Sequence, residues 1–137
     1  MPARYVIDKQ RRLVIATCSG RLTYTEITSV QDQWLRDPDF DPKFNLLADN
    51  AAVTSLDVSP EQAKAIAARR VFQYPARCAF VSTNPLIFGM TRLAEAHSQM
   101  TEGRAEWHVF RTREEALQWI GLPENYSSPE RPSANPI

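Results

Sequence analysis

Glu106-Trp107-His108-Val109-Phe110-Arg111, followed at once by Thr112-Arg113-Glu114-Glu115-Ala116-Leu117-Gln118-Trp119-Ile120, decides the fold class. Its first half reads as a short strand. Thr112 is placed to accept from the free N–H groups that open a helix, and Glu115, three residues on, to return the bond. Ala116, Leu117 and Ile120 then give that helix one apolar face. Trp107 and His108 alternate, so they point to opposite faces of the strand, and Trp119 sits at the rim of the helix face, over the last strand.

The same strand-cap-helix unit recurs upstream. Arg4 to Asp8 and Leu13 to Cys18 are β-rich runs around a polar connection, Lys9 to Arg12, short enough for an antiparallel hairpin. Ser19-Gly20 is expected to end the second strand. Thr23 with Glu26 forms a capping box, and Ile27, Val30 and Trp34 line a helix running to about Arg36, where Asp37-Pro38 stops it. Phe40 and Phe44 plug the end of the core. Asn45 to Asp49 is the third strand, and residues 50–57 are expected to be its exit loop. Ser59-Pro60 with Gln62 starts a helix whose face is Ala63, Ile66, Ala67 and Arg70. Arg77 to Val81 is the fourth strand. Asn84-Pro85 opens a helix on which Leu86, Met90, Leu93, His97 and Met100 recur every three or four residues as the packing face.

Strand-helix-strand repeats with connections of this length imply parallel pairing and right-handed crossovers. The expected fold is α/β: a mixed sheet of about five strands, mostly parallel with an N-terminal antiparallel hairpin, and four helices. At 137 residues the chain suits one domain, assigned to residues 1–122. The stretch 123–137, with Pro123, Pro129, Pro132 and Pro136, reads as a flexible tail that packs on nothing.

Sixteen basic residues balance sixteen acidic ones, so no long-range field draws the chain to nucleic acid or anionic lipid. The short basic pairs Arg69-Arg70 and Arg111 with Arg113 read as solvated surface, not as a nucleic-acid footprint. No apolar run reaches membrane-spanning length and no leader is legible, which makes a cytoplasmic location the expectation. Cys18 and Cys78 lie in core-like strands and read as buried thiols. With His97 and His108 they lack ligand spacing, so neither metal nor cofactor is expected. No nucleophile elbow or glycine-rich phosphate loop is present, no catalytic residue is assigned, and a non-enzymatic role is expected.

The order of elements resembles the SpoIIAA-like, or STAS-like, class of small α/β domains, and within it a family of short uncharacterised bacterial proteins. The resemblance is carried by Leu22-Thr23, Asp37-Pro38 with Phe40 and Pro42, Leu47 with Asp49, Phe88-Gly89-Met90 with Arg92, Val109-Phe110, and Glu115-Ala116 with Trp119-Ile120. It implies a protein-interaction or regulatory domain with a regulatory protein partner. In the anti-sigma-antagonist members an Asp ends the third strand, and a serine at the next helix start takes phosphate from a kinase. Asp49, Asp57 and Ser59 match by position, while Val58 and Pro60 stand where that pattern has Ser and Gly. Ser59 thus has two readings, helix cap or phosphoacceptor.

The start of the third helix is the second candidate. Phe88 lies off the Leu86-Met90-Leu93 face with Arg92 one turn beyond. Phe88, Met90, Arg92 and His97 then have three readings. Phe88 caps the sheet edge while Arg92 pairs with an acidic neighbour such as Glu95 or Asp57, they form the contact of a homodimer, or they line a cleft for a small amphipathic anion or lipid.

Overall fold

A computed structural model describes residues 3–69, 71–98 and 105–129, with the side chains of Ala94, His97 and Ser98 outside that description. Arg70 and Met100 also lie outside the described residues. Among the described residues the elements run β1 (Ala3–Asp8), β2 (Leu13–Thr23), α1 (Tyr24–Leu35), β3 (Asn45–Asp57), α2 (Pro60–Ala68), β4 (Arg77–Val81), α3 (Pro85–Ser98), β5 (Glu106–Phe110) and α4 (Arg113–Ile120). The sheet order is β1-β2-β3-β4-β5, with β1 antiparallel to β2 and every other pair parallel. This is the expected mixed sheet with four helices.

Both faces of the sheet are covered, so its inner strands carry unbroken apolar runs at their centres: Leu13, Val14, Ile15 and Ala16, then Leu46, Leu47 and Ala48, then Cys78, Ala79, Phe80 and Val81. Alternate residues sort the core into two layers. Val14, Ala16, Cys18, Leu46, Ala48 and Cys78 pack under the helix layer that contributes Val30, Trp34 and Ile87. Leu13, Ile15, Leu47, Ala79 and Val81 pack on the opposite face under Ala116, Leu117 and Tyr126. Capping boxes close at Thr23 with Glu26 and at Ser59 with Gln62, and Thr112 accepts from the Glu115 N–H at 3.2 Å. Cys18 and Cys78 are free and buried. Trp119 rests edge-on against His108 at 4.8 Å and beside Phe110 at 5.7 Å, which covers the last strand.

Three expectations are corrected. The second and third strands do not end at Gly20 and Asp49: they continue together as a parallel ribbon through Ser19↔Ala52, Leu22↔Leu56 and Thr23↔Asp57. Register shifts at Thr17/Ser19 and Gly20/Arg21 interrupt the alternation, and Gly20 takes φ 65 there. A strand read by a period of two therefore reads as ended where it is only bulged. Leu22 and Val53 are buried along this extension, and Arg21 pairs with Asp57 at its end.

The second correction is the rotation of α3. Ile87 is buried, whereas Leu86 and Leu93, assigned to the packing face, are 73% and 53% exposed. A helix this rich in apolar residues offers two neighbouring faces. The short turn out of β4 selects between them, held by the Ser82 N–H to Phe110 carbonyl bond of 2.9 Å and by the Asn84 side chain accepting from the Leu86 N–H at 2.9 Å.

The third is the segment after Leu122. Tyr126 is only 7% exposed, and its hydroxyl donates to buried Asp8 at 2.7 Å. Arg11 lies over the same ring at 5.3 Å. The chain is thus packed at least as far as Tyr126, because one aromatic among the prolines finds a carboxylate at the end of β1.

Candidate functional site

Between the sheet and the layer of α1, α2 and α3 lies a cavity of about 140 Å³. Its floor comes from β2 to β5 through Ala16, Cys18, Ala48, Asn50, Phe80 and Trp107, and its walls include Trp34, Ala63, Ile66, Ile87 and Met90. The lining is mostly apolar, Gln31, Asn50 and Thr91 excepted, because the floor residues lie on the helix-facing side of the strands. The space persists because small side chains face it: Ala16 and Ala48 from the sheet, Ala63 from α2.

Aromatic packing fixes one wall. Trp34 stands against Tyr5 at 6.1 Å and Phe72 at 5.8 Å, and Phe72 in turn meets Phe40 at 5.5 Å. On the other side Phe80 and Trp107 stack at 5.0 Å. Arg69 ties the outer helices together, donating to the Thr28 carbonyl at 3.3 Å and to Gln31 Oε1 at 2.9 Å and pairing with Asp32.

Two lining residues carry a buried polar atom without a hydrogen-bond partner, Trp34 Nε1 and Asn50 Oδ1. Such atoms are uncommon in folded proteins, since each forfeits its hydration with no bond in return. Ser82 Oγ is likewise unpartnered, but Ser82 lies outside the lining. Cys18 is in the wall, and burial, reinforced by Asp49 and Glu26, pushes its thiol from 9.0 up to about 11. It is protonated at neutral pH and acts as a small apolar wall residue.

The residues singled out in the sequence are distributed as follows. Met90 lines the cavity, but Phe88 and Arg92 do not. Phe88 is half-buried, with the guanidinium of Arg111 at 4.2 Å from its ring centre and that of Arg92 at 6.0 Å. Phe88 and Arg92 are thus brought together, with a second arginine that sequence spacing did not show, as a cation–π cluster. The side chain of His97 lies outside the described residues. Ser59 is exposed, and its hydroxyl accepts from the Gln62 N–H at 3.1 Å, a helix cap. Asp57 pairs with Arg21 on the surface, and Asp49 accepts from Arg113 at 3.3 Å. Among the described residues no group of three or more His, Cys, Asp or Glu is placed to hold a metal ion.

Sequence reasoning missed Asn50 as a site residue, having assigned it to a loop. Once β3 is extended through it, Asn50 shares a face with Ala48, two residues away. A carboxamide among alanines on a buried face is the signal that would have found it.

The course of the chain matches that of a crystallised uncharacterised protein from Shewanella loihica, of the DUF3478 family, with a SpoIIAA-like fold. The fold is SpoIIAA-like. The two share 21% identity at a TM-score of 0.51, over 79% of this chain and 83% of the other. At that identity the likeness concerns the fold alone. No protein-family model matches this sequence, and no curated protein matches it. Among the described residues no helix is long and apolar enough to cross a membrane.

Proposed function

We propose that this domain binds a small, largely apolar molecule in the cavity between its sheet and helices α1 to α3, without transforming it. The observation that carries the proposal is the cavity itself, about 140 Å³ between sheet and helices, lined by apolar side chains apart from Gln31, Asn50 and Thr91. The binding site proposed from sequence beside Phe88 and Arg92 is thereby moved beneath α3, with Met90 retained as part of its wall.

Toluene tests this directly, because a cavity of about 150 Å³ suffices for benzene. Saturating toluene is expected to raise the melting temperature of the wild-type protein, and the rise is expected to vanish in Ala63→Phe, which fills the space from α2. A melting temperature indifferent to toluene would overturn the proposal.

A second reading is favoured by the outward face of α3. Leu86 and Leu93, one above the other on that helix, are largely exposed. They suit a contact with a second copy of the chain, in keeping with an interaction domain. Sedimentation at micromolar concentration is expected to show a dimer that Leu86→Glu dissociates, and a wild-type monomer at high concentration would rule this reading out.

A further inference from the structure

Two unlike patches lie on the outer surface of this domain, one on α3 and one on α4. On α3, Leu86, Gly89, Leu93 and Ala96 follow at steps of three and four residues, share one face and are all exposed. Arg92 borders that face and is exposed too, and Arg111 comes in beside it over the ring of Phe88. Neither guanidinium is ion-paired among the described residues, whereas Arg21, Arg69, Arg77 and Arg113 each meet a carboxylate. The acidic residues closest to the expectation for Arg92 are turned elsewhere. Glu95 lies against His108 at 3.6 Å, and Asp57 against Arg21. The α3 patch is therefore apolar along its centre and positive at one border.

The outer face of α4 has the opposite sign. Glu114, Glu115, Gln118 and Glu124 are exposed around half-buried Leu122, and the five line a surface concavity. Glu115 accepts from the Thr112 hydroxyl at 3.1 Å, while Glu114 and Glu124 are in no ion pair among the described residues. Protruding leucines beside arginines on one helix thus match a concavity with a leucine beside carboxylates on another.

The placement of the two helices restricts how such patches can meet. Ile87 of α3 packs on the sheet face of Val14 and Ala16, whereas Ala116 and Leu117 of α4 pack on the face of Leu13 and Ile15. The outer surfaces of α3 and α4 therefore point in opposite directions. A two-fold axis through α3 gathers the arginines of both copies in one interface, and like charges so placed cost free energy. Unlike patches on opposite sides of a molecule meet between successive copies, in a heterologous contact. With zero formal net charge, no long-range repulsion between copies opposes it.

Resting on the second reading above, in which the outer face of α3 meets another copy of the chain, we infer that it docks on the outer face of that copy's α4. Leu86 and Leu93 enter the concavity at Leu122, and Arg92 and Arg111 face Glu114 and Glu124. Each pair keeps one free α3 patch and one free α4 patch. The dimer at micromolar concentration is thus the first step of a longer assembly.

Sedimentation of the full chain tests this. The wild-type mass is expected to rise past the dimer with concentration, and the dissociation constant to increase about tenfold or more between low and high salt. Leu86→Glu and the double variant Glu114→Lys/Glu124→Lys are each expected to be monomeric alone. Mixed in equal amounts they are expected to pair, through the intact α4 patch of the first and the intact α3 patch of the second. A double variant that dimerises as the wild type does, no pairing in the mixture, or a mass that stops at the dimer would overturn the head-to-tail contact. So would association that strengthens with salt, the sign for a contact that gathers the arginines, and this readout needs no variant to fold. The first and the last of these leave the α3 contact itself standing. A wild-type monomer at every concentration removes both readings.

Discussion

The two faces of this sheet are built from the same strands and end differently. On one, Leu13, Ile15, Leu47, Ala79 and Val81 meet Ala116, Leu117 and Tyr126, and the buried polar pair there, Asp8 with the Tyr126 hydroxyl, is hydrogen-bonded. On the other, three helices leave a cavity, and buried polar atoms on Trp34 and Asn50 lack partners. A face that only holds the fold together fills its space and pairs its polar atoms. A face that does neither is the one to examine for binding.

The contrast breaks most sharply at its closed side. Leu117→Ala, at a site with no exposed surface, is expected to cost about 2–5 kcal/mol in chemical denaturation. Truncation after Leu122 is expected to cost about 3 kcal/mol or more, since it removes a buried aromatic and strands the Asp8 carboxylate. A truncated protein as stable as the full chain would show that Tyr126 does not hold this face.

On the open side, pH supplies the next test. The Cys18 thiol is raised from 9.0 to about 11 in the folded state, so folding favours its protonated form. Its contribution is complete below about pH 9 and is lost as pH rises toward about 11. The loss is on the order of 3 kcal/mol. Cys18→Ala is expected to flatten that part of the stability-against-pH curve, with thermal melts at fixed pH as the measurement. Tyr126, also raised by burial and by Asp8, adds a decline above about pH 10 that the Cys18 variant retains.

Enlarging an alanine sharpens the comparison further. Ala79→Leu, on the packed face, is expected to destabilise by about 1–3 kcal/mol, whereas Ala63→Leu, which projects into the cavity, is expected to stay within about 0.5 kcal/mol of wild type. Equal losses would mean that the open face has no spare volume. A modest effect lies outside both faces: Ser59→Ala is expected to cost about 1 kcal/mol through loss of the α2 cap, and Ser59→Asp to cost less.

Much of the fold was legible along the chain. Thr23, Ser59 and Thr112 mark helix starts through contacts spanning three residues, and the runs at Leu13, Asn45, Arg77 and Glu106 mark strands through composition. The candidate site was legible only at Met90. Phe88 and Arg92 were rightly paired, being one helical turn apart, but they sit beside Arg111 and not in the cavity. Asn50 was hidden because two bulges shift the register between β2 and β3, and no pattern within a single strand reveals a partner's bulge.

By itself the sequence determined what depends on near neighbours: which segments become helix or strand, where they are capped, and hence an α/β sheet with both faces covered. Only the tertiary structure decided which face of α3 turns inward, that β2 and β3 run on together to Thr23 and Asp57, that Tyr126 locks to Asp8, and that Trp34 and Asn50 share one cavity. The physical reason is range. Caps and periodicity are set by groups a few residues apart. The volume left between layers, and the polar atoms stranded in it, depend on how residues 118 positions apart, as Asp8 and Tyr126 are, come to lie side by side.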